Sequence, residues 1–208
     1  MNFQASTRID HNAADVVRLM IEEMEAIVPW LPNVDGIETL ERQELSDGRV
    51  RIVRRWQGNS SGAPRVVVPF ATREVMQWLD VATWTPAEYK LEWVFKNKLS
   101  RYFDCGGTTW YRPHADAPES ATELAIDGAL QVFPDQLPGL PEFLGARLAP
   151  QIEKFVVHMI KPNLTMVAEG LEGYFGQWAG GSVAGDGASV ADSSNDDAGA
   201  VDSPEEEP

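Results

Sequence analysis

The 208-residue chain has one cysteine, Cys105, so no disulfide can form within it. It has three histidines, His11, His114 and His158, none at a spacing that builds a metal site. Basic residues are scarce: 17 Lys and Arg stand against 32 Asp and Glu, a formal net charge of -15. Without a basic footprint there is little to hold a phosphate backbone, which argues against a nucleic-acid partner. An anionic membrane surface would repel such a chain too. No stretch approaches the roughly 20 apolar residues of a spanning helix, so stable membrane insertion is not expected. The opening MNFQASTRIDHNAADVV lacks the basic flank and apolar run of a secretory signal. These absences point to the cytoplasm.

What is present divides unevenly. From Gly180 onward the chain reads GGSVAGDGASVADSSNDDAGAVDSPEEEP, with no aromatic and no base. Such a segment buries too little apolar surface to offset the entropy of ordering it. Residues 180–208 are therefore expected to form a disordered acidic tail. The tail carries -8 of the net charge through Asp186, Asp192, Asp196, Asp197, Asp202, Glu205, Glu206 and Glu207, leaving residues 1–179 at -7. That remainder is large enough for one domain with its own core.

Within 1–179 the hydrophobic spacing predicts a mixed α and β chain. Residues 2–9 alternate, with Phe3, Ala5, Thr7 and Ile9 on one side of a strand. Asp10 or Asn12 can then cap a helix to about Ile27, whose apolar face is Val16, Val17, Leu19, Met20, Met24 and Ile27. Pro29, Pro32 and the Asn33–Gly36 stretch supply turn chemistry. Strands follow at Ile37–Leu45 and Arg49–Trp56, joined by Ser46-Asp47-Gly48. The span Val66–Ala82 fits either a helix at Ala71–Leu79 or a strand at Met76–Trp84. Further strands are expected around Tyr89–Phe95, at Arg101–Arg112 with a bulge or close approach at Gly106-Gly107, and at Thr122–Phe133. From Pro141 to about Trp178 apolar residues recur every three or four positions, which marks one long amphipathic helix, with a kink expected at Pro162.

The expected class is α+β: a curved antiparallel sheet whose apolar face is covered by the long C-terminal helix. A strongly curved sheet closed by one helix does not always fill its interior, and the gap becomes a ligand site. The segments VPWLPNVDGIETLERQELSDGRVRIVRRW and ARLAPQIEKFVVHMIKPNLTMVAEGLEGYF, with the opening strand and helix, resemble the START/SRPBCC helix-grip superfamily. That group includes START lipid carriers, the birch pollen allergen and polyketide cyclase-like proteins. The resemblance implies a helix-grip fold and a hydrophobic small-molecule ligand: a lipid, quinone or polyketide-like compound. It leaves open an aromatase/cyclase-type enzyme, or a protein-interaction module using the outer sheet face.

The residues themselves show no catalytic constellation, so a non-enzymatic binder is favoured, and no cofactor or metal is implied. Gly106-Gly107 lacks the spacing and the following Lys-Ser/Thr of a phosphate loop. Cys105 has no base placed beside it and reads as a buried structural thiol. His11 and His114 read as solvated, and His158 as a flank of the final helix. Arg54 shares a strand face with Val50, Ile52 and Trp56, taken as the inward one, so it needs a partner or a ligand oxygen. The alternatives are that the faces are reversed or that Arg54 pairs with an acid such as Glu92. Trp56, Tyr89, Trp93, Trp110, Phe155 and Met159 complete the candidate ligand-binding set, although each of them would serve equally in a filled core. Asp127 and Asp104 raise the question of acid–base work; if Leu124 and Ile126 face in, Asp127 faces out, and no close carboxylate pair can be argued.

Overall fold

A computed structural model describes residues 1–59, 76–98, 100–133, 150, 153–154 and 166–177. The chain opens with β1 (Asn2–Ile9) and α1 (Ala13–Glu22), then β2 (Val34–Glu44), β3 (Val50–Gly58), β4 (Gln77–Thr85), β5 (Lys90–Lys96), β6 (Phe103–His114) and β7 (Ala117–Val132). All strand pairings are antiparallel. They form one seven-stranded sheet in the order β1-β7-β6-β5-β4-β3-β2. Strands β2 to β7 follow one another as a meander, and β1 closes onto β7 from the far end.

Asn12 caps α1, its side chain accepting from the Asp15 amide at 2.9 Å, one of the first-turn donors that a helix leaves unpaired. The helix stops at Glu22, short of the expected Ile27, and the chain tightens into a 3-10 segment, Met24–Trp30. Met24 and Ile27 are buried in either geometry, so apolar spacing alone did not separate the two. Gly48 takes φ +80 in the β2–β3 turn, where a side chain would be strained.

Alternation decides the faces. Val50, Ile52, Arg54 and Trp56 of β3 are all buried, as are Asp80, Ala82 and Trp84 of β4. The ambiguous span resolves in favour of a strand from Gln77. Its residues 66–75, like the start of the helical alternative, lie outside the described residues. Strand β7 begins at Ala117, five residues before the expected start, because the HADAPES turn contracts to two residues. Leu124, Ile126, Leu130 and Val132 face inward as expected.

Gly106-Gly107 is not a bulge. Both residues stay in register with β5 and β7, and the shift in that pairing falls at Pro113/His114. The glycines mark close approach instead. A Cβ on Gly107 would strike the Asp127 carbonyl and come 2.9 Å from the Trp93 ring, and one on Gly128 would run into the Phe3 ring. Trp93, Gly107, Gly128 and Phe3 form one cross-strand row. Two large rings thus recline on two residues without side chains.

Residues 166–177 are helical, the described part of the helix expected from Pro141 to Trp178. The stretch between, including Pro162, Phe155, Met159 and His158, lies outside the described residues except for helical 150 and 153–154. Gly170 and Gly173 of that helix accept Leu31 and Trp30, a Cβ on Gly170 meeting Leu31 at 2.8 Å. Tyr174 meets Trp30 edge-on at 5.8 Å, and Phe175 stacks on His11 at 3.7 Å. His11 is therefore half-buried rather than free in solvent. The acidic tail, 180–208, also lies outside the described residues.

Candidate ligand-binding face

Four aromatic rings run across the inner face of β3, β4 and β5. Trp56 stacks on Trp78 at 5.6 Å and 18°, Trp78 meets Phe95 at 6.3 Å, and Phe95 meets Trp93 at 4.7 Å. The register produces this wall, since Trp56 faces Trp78 and Trp93 is two residues from Phe95 on β5. Trp56 and Trp93 are buried, while Trp78 and Phe95 are only partly covered. Trp93 spends its indole N–H on Thr109, Nε1 to Oγ1 at 3.0 Å.

Beside the wall sit two charged side chains. Arg54 of β3 is 2% exposed and stands opposite Asp80 of β4, which is 8% exposed. The guanidinium is already engaged. Nη2 donates to the Ile21 carbonyl at 2.7 Å, Nε donates to Thr39 Oγ1 at 3.1 Å, and Nη1 lies 3.5 Å from Met24 Sδ. Ile21 is in the last turn of α1, where carbonyls have no intrahelical donor and carry partial negative charge. Arg54 thereby ties the end of α1 to the sheet. Thr39 in turn donates to Glu25 through both its amide and its hydroxyl. Burial would raise the Glu25 carboxyl, but the Thr39 bonds and the Arg54 charge outweigh it and hold it below the ordinary value.

Asp80 has no such network. Its Oδ1 is buried without a hydrogen-bond partner among the described residues, as are Trp56 Nε1 and Trp84 Nε1. Burial pushes the Asp80 carboxyl up to about 7, with Arg54 pulling the other way. A carboxyl poised there can hold or release a proton near neutral pH. Burial likewise pushes the Tyr111 phenol up, and the Asp80 charge adds to that. Cys105, on the same face opposite Phe95 and Leu130, is buried, its thiol raised to about 11 by burial. Separately, an open depression of about 350 Å³ lies among Gly36, Ile37, Glu38, Arg55, Gln57 and Gln77. It lies beside the Arg55–Glu38 ion pair.

Protein-family models and curated proteins give no match to the chain. Solved structures do. The protein TTHA0849 from Thermus thermophilus superposes with a TM-score of 0.60 at 16% identity, over 86% of this chain and 99% of that one. This is the helix-grip fold. The Zhui aromatase/cyclase from Streptomyces sp. R1128 matches this helix-grip chain with a TM-score of 0.59 at 13% identity, covering 88% of it and 98% of Zhui. Ara h 8.0201 matches with a TM-score of 0.54 at 14% identity, over 85% and 98% of the two chains. At these identities the likeness establishes the fold and nothing narrower.

Within the helix-grip frame, the residues singled out in the sequence scatter. Arg54, Trp56 and Trp93 come together on the inner face. Tyr89 caps the 3-10 turn Pro86–Glu88 in a left-handed conformation, φ 53, and packs at the margin of the core. Trp110 faces the other way: it alternates with buried Thr109 and Tyr111, and Arg112 lies over its ring at 5.0 Å. It is not part of the wall. Phe155 and Met159 lie outside the described residues. Among the described residues Arg54 forms no ion pair with Glu92 or any other acid, and donates instead to the Ile21 carbonyl and the Thr39 hydroxyl. Asp127 is exposed, as expected, and so is Asp104. Trp78, Asp80 and Phe95 are the additions. Among the described residues, no helix is long and apolar enough to cross a membrane.

Proposed function

We propose that this chain binds or carries a hydrophobic small molecule, held against the aromatic wall on the inner face of the sheet. The observation that carries the reading is the half-covered state of Trp78 and Phe95 beside the buried Trp56, Trp93, Arg54 and Asp80. Large rings left partly open on an interior face offer contact area to a ligand without further unfolding cost. The helix-grip fold adds support, since a sheet closed by one helix is built to enclose. Native mass spectrometry of gently purified protein tests it, together with thermal denaturation against lipid-like, quinone and polycyclic compounds. Adducts or a rise in Tm are expected. Bare protein with no shift from any of them would end the proposal.

A second reading is an aromatase/cyclase-type enzyme, as Zhui is described. One observation favours it: Asp80, a buried carboxyl poised near neutral pH, suits acid–base work on a reactive chain. It predicts turnover that Asp80→Asn abolishes with the fold intact. An interaction module on the outer face has less support. Among the described residues the large exposed apolar side chains are Met1, Leu40 and Val94. Leu40 and Val94 sit on β2 and β5, with two strands between them, and form no patch.

A further inference from the structure

Two unpartnered polar atoms flank the aromatic wall, and they are of opposite kinds. Trp56 Nε1 is a donor without an acceptor, and Asp80 Oδ1 is an acceptor without a donor. Both belong to buried residues. Because Arg54 stands opposite Asp80, and Trp56 opposite Trp78, in the β3–β4 register, Trp56 and Asp80 are diagonal neighbours on the same face. Their backbones stand roughly 7–8 Å apart. They do not bond to each other and both are closed to solvent, so one small group that displaced what covers them would serve both.

We infer that the ligand is a neutral aromatic compound bearing a hydroxyl group, which donates to Asp80 Oδ1 and accepts from Trp56 Nε1. The inference rests on the hydrophobic-binder reading and deepens it. A hydroxyl is at once a donor and an acceptor, so it meets both needs, and the flat frame carrying it lies along Trp78 and Phe95. A ligand anion is disfavoured: Arg54, the nearest cation, already donates to the Ile21 carbonyl, Thr39 and Met24, and Asp80 once ionised would repel it. Fatty-acid carboxylates and phosphorylated lipids therefore fit poorly. A bound water could also bridge the two atoms, and the experiment must separate that case.

Binding of 1-naphthol, 1-methoxynaphthalene, naphthalene and 1-naphthoate to the full chain is measured by calorimetry at pH 6 and pH 8.5. We expect 1-naphthol to bind about tenfold or more tighter than 1-methoxynaphthalene, which keeps the oxygen but cannot donate. We expect 1-naphthoate to bind weakest. Asp80→Leu and Trp56→Phe should each sharply lower the ratio of 1-naphthol to naphthalene affinity, whatever either does to naphthalene binding itself. The comparison among ligands on the unaltered protein stands even where a variant folds poorly. Equal binding of 1-naphthol and 1-methoxynaphthalene overturns the inference, leaves water as the bridge and spares the hydrophobic-binder reading. Tighter binding of 1-naphthoate also overturns it. If none of the four binds, the inference falls, and the lipid and quinone arms of the earlier experiment decide the wider reading.

Discussion

Replacing Asp80 with asparagine should make the protein more stable at alkaline pH and leave it little changed, or slightly weaker, in mild acid. In the folded chain burial raises this carboxyl from 3.8 to about 7. At about 1.4 kcal/mol per pH unit this amounts to a ceiling of roughly 4 kcal/mol. The sign follows from proton counting. Between the two pKa values the folded protein holds a proton that the unfolded chain has released. The contribution is thus complete below the unfolded value and is lost as pH rises through about 7. Roughly 3 kcal/mol of it should disappear between pH 5 and pH 8.5. Asparagine keeps the shape and cannot ionise, but its amide adds donors that need partners, a cost of about 1–3 kcal/mol at every pH. The quantity to measure is therefore the difference between variant and parent. Urea unfolding followed by tryptophan fluorescence at both pH values supplies it. A gap that grows by about 2–3 kcal/mol in favour of Asp80→Asn with rising pH is expected. A gap that is constant with pH, or shrinks, would mean that Asp80 is an ordinary ionised partner of Arg54, and the reasoning would be wrong.

Arg54→Met should cost about 3 kcal/mol, because it orphans the Ile21 carbonyl and removes the charge facing Glu25 and Asp80; a loss under about 1 kcal/mol in urea titrations would deny the anchoring role. Gly107→Ala should destabilise more than Gly128→Ala, since the first meets a backbone carbonyl that cannot move and the second a ring that can tilt. Each should cost about 1–3 kcal/mol by thermal melts, and the reverse order would contradict the row as described. Cys105 should react with a thiol reagent only as fast as the protein unfolds, because its raised thiol is buried; rapid labelling of native protein would place it elsewhere.

Much of the sheet was legible because alternation is a strong signal once a strand is granted. The inward face of β3 could be read directly from Val50, Ile52, Arg54 and Trp56, and that of β7 from Leu124 to Val132. The centre of the site was not legible. Asp80 and Trp78 lie in a span whose apolar residues fit period two and period 3.6 alike, and without a period no face can be assigned. A trace was present: Trp78, Asp80, Ala82 and Trp84 alternate, with a lone acid where an apolar residue belongs. Trp110 misled because aromatic character was taken as inwardness, whereas its neighbours Thr109 and Tyr111 hold the buried face. The partners of Arg54 were invisible for a different reason. A helix carbonyl offers no residue type to search for, and only the packing of α1 against the sheet brings Ile21 within reach.

The reclining rings of Phe3 and Trp93 have a bearing on how the inner face of such a sheet can change. Strand spacing and register are set by the glycines beneath them, while the space above is set by the rings. A smaller side chain at position 3 or 93 would remove bulk from the inner face and leave the hydrogen-bonded ladder alone, so surface and scaffold can be altered separately.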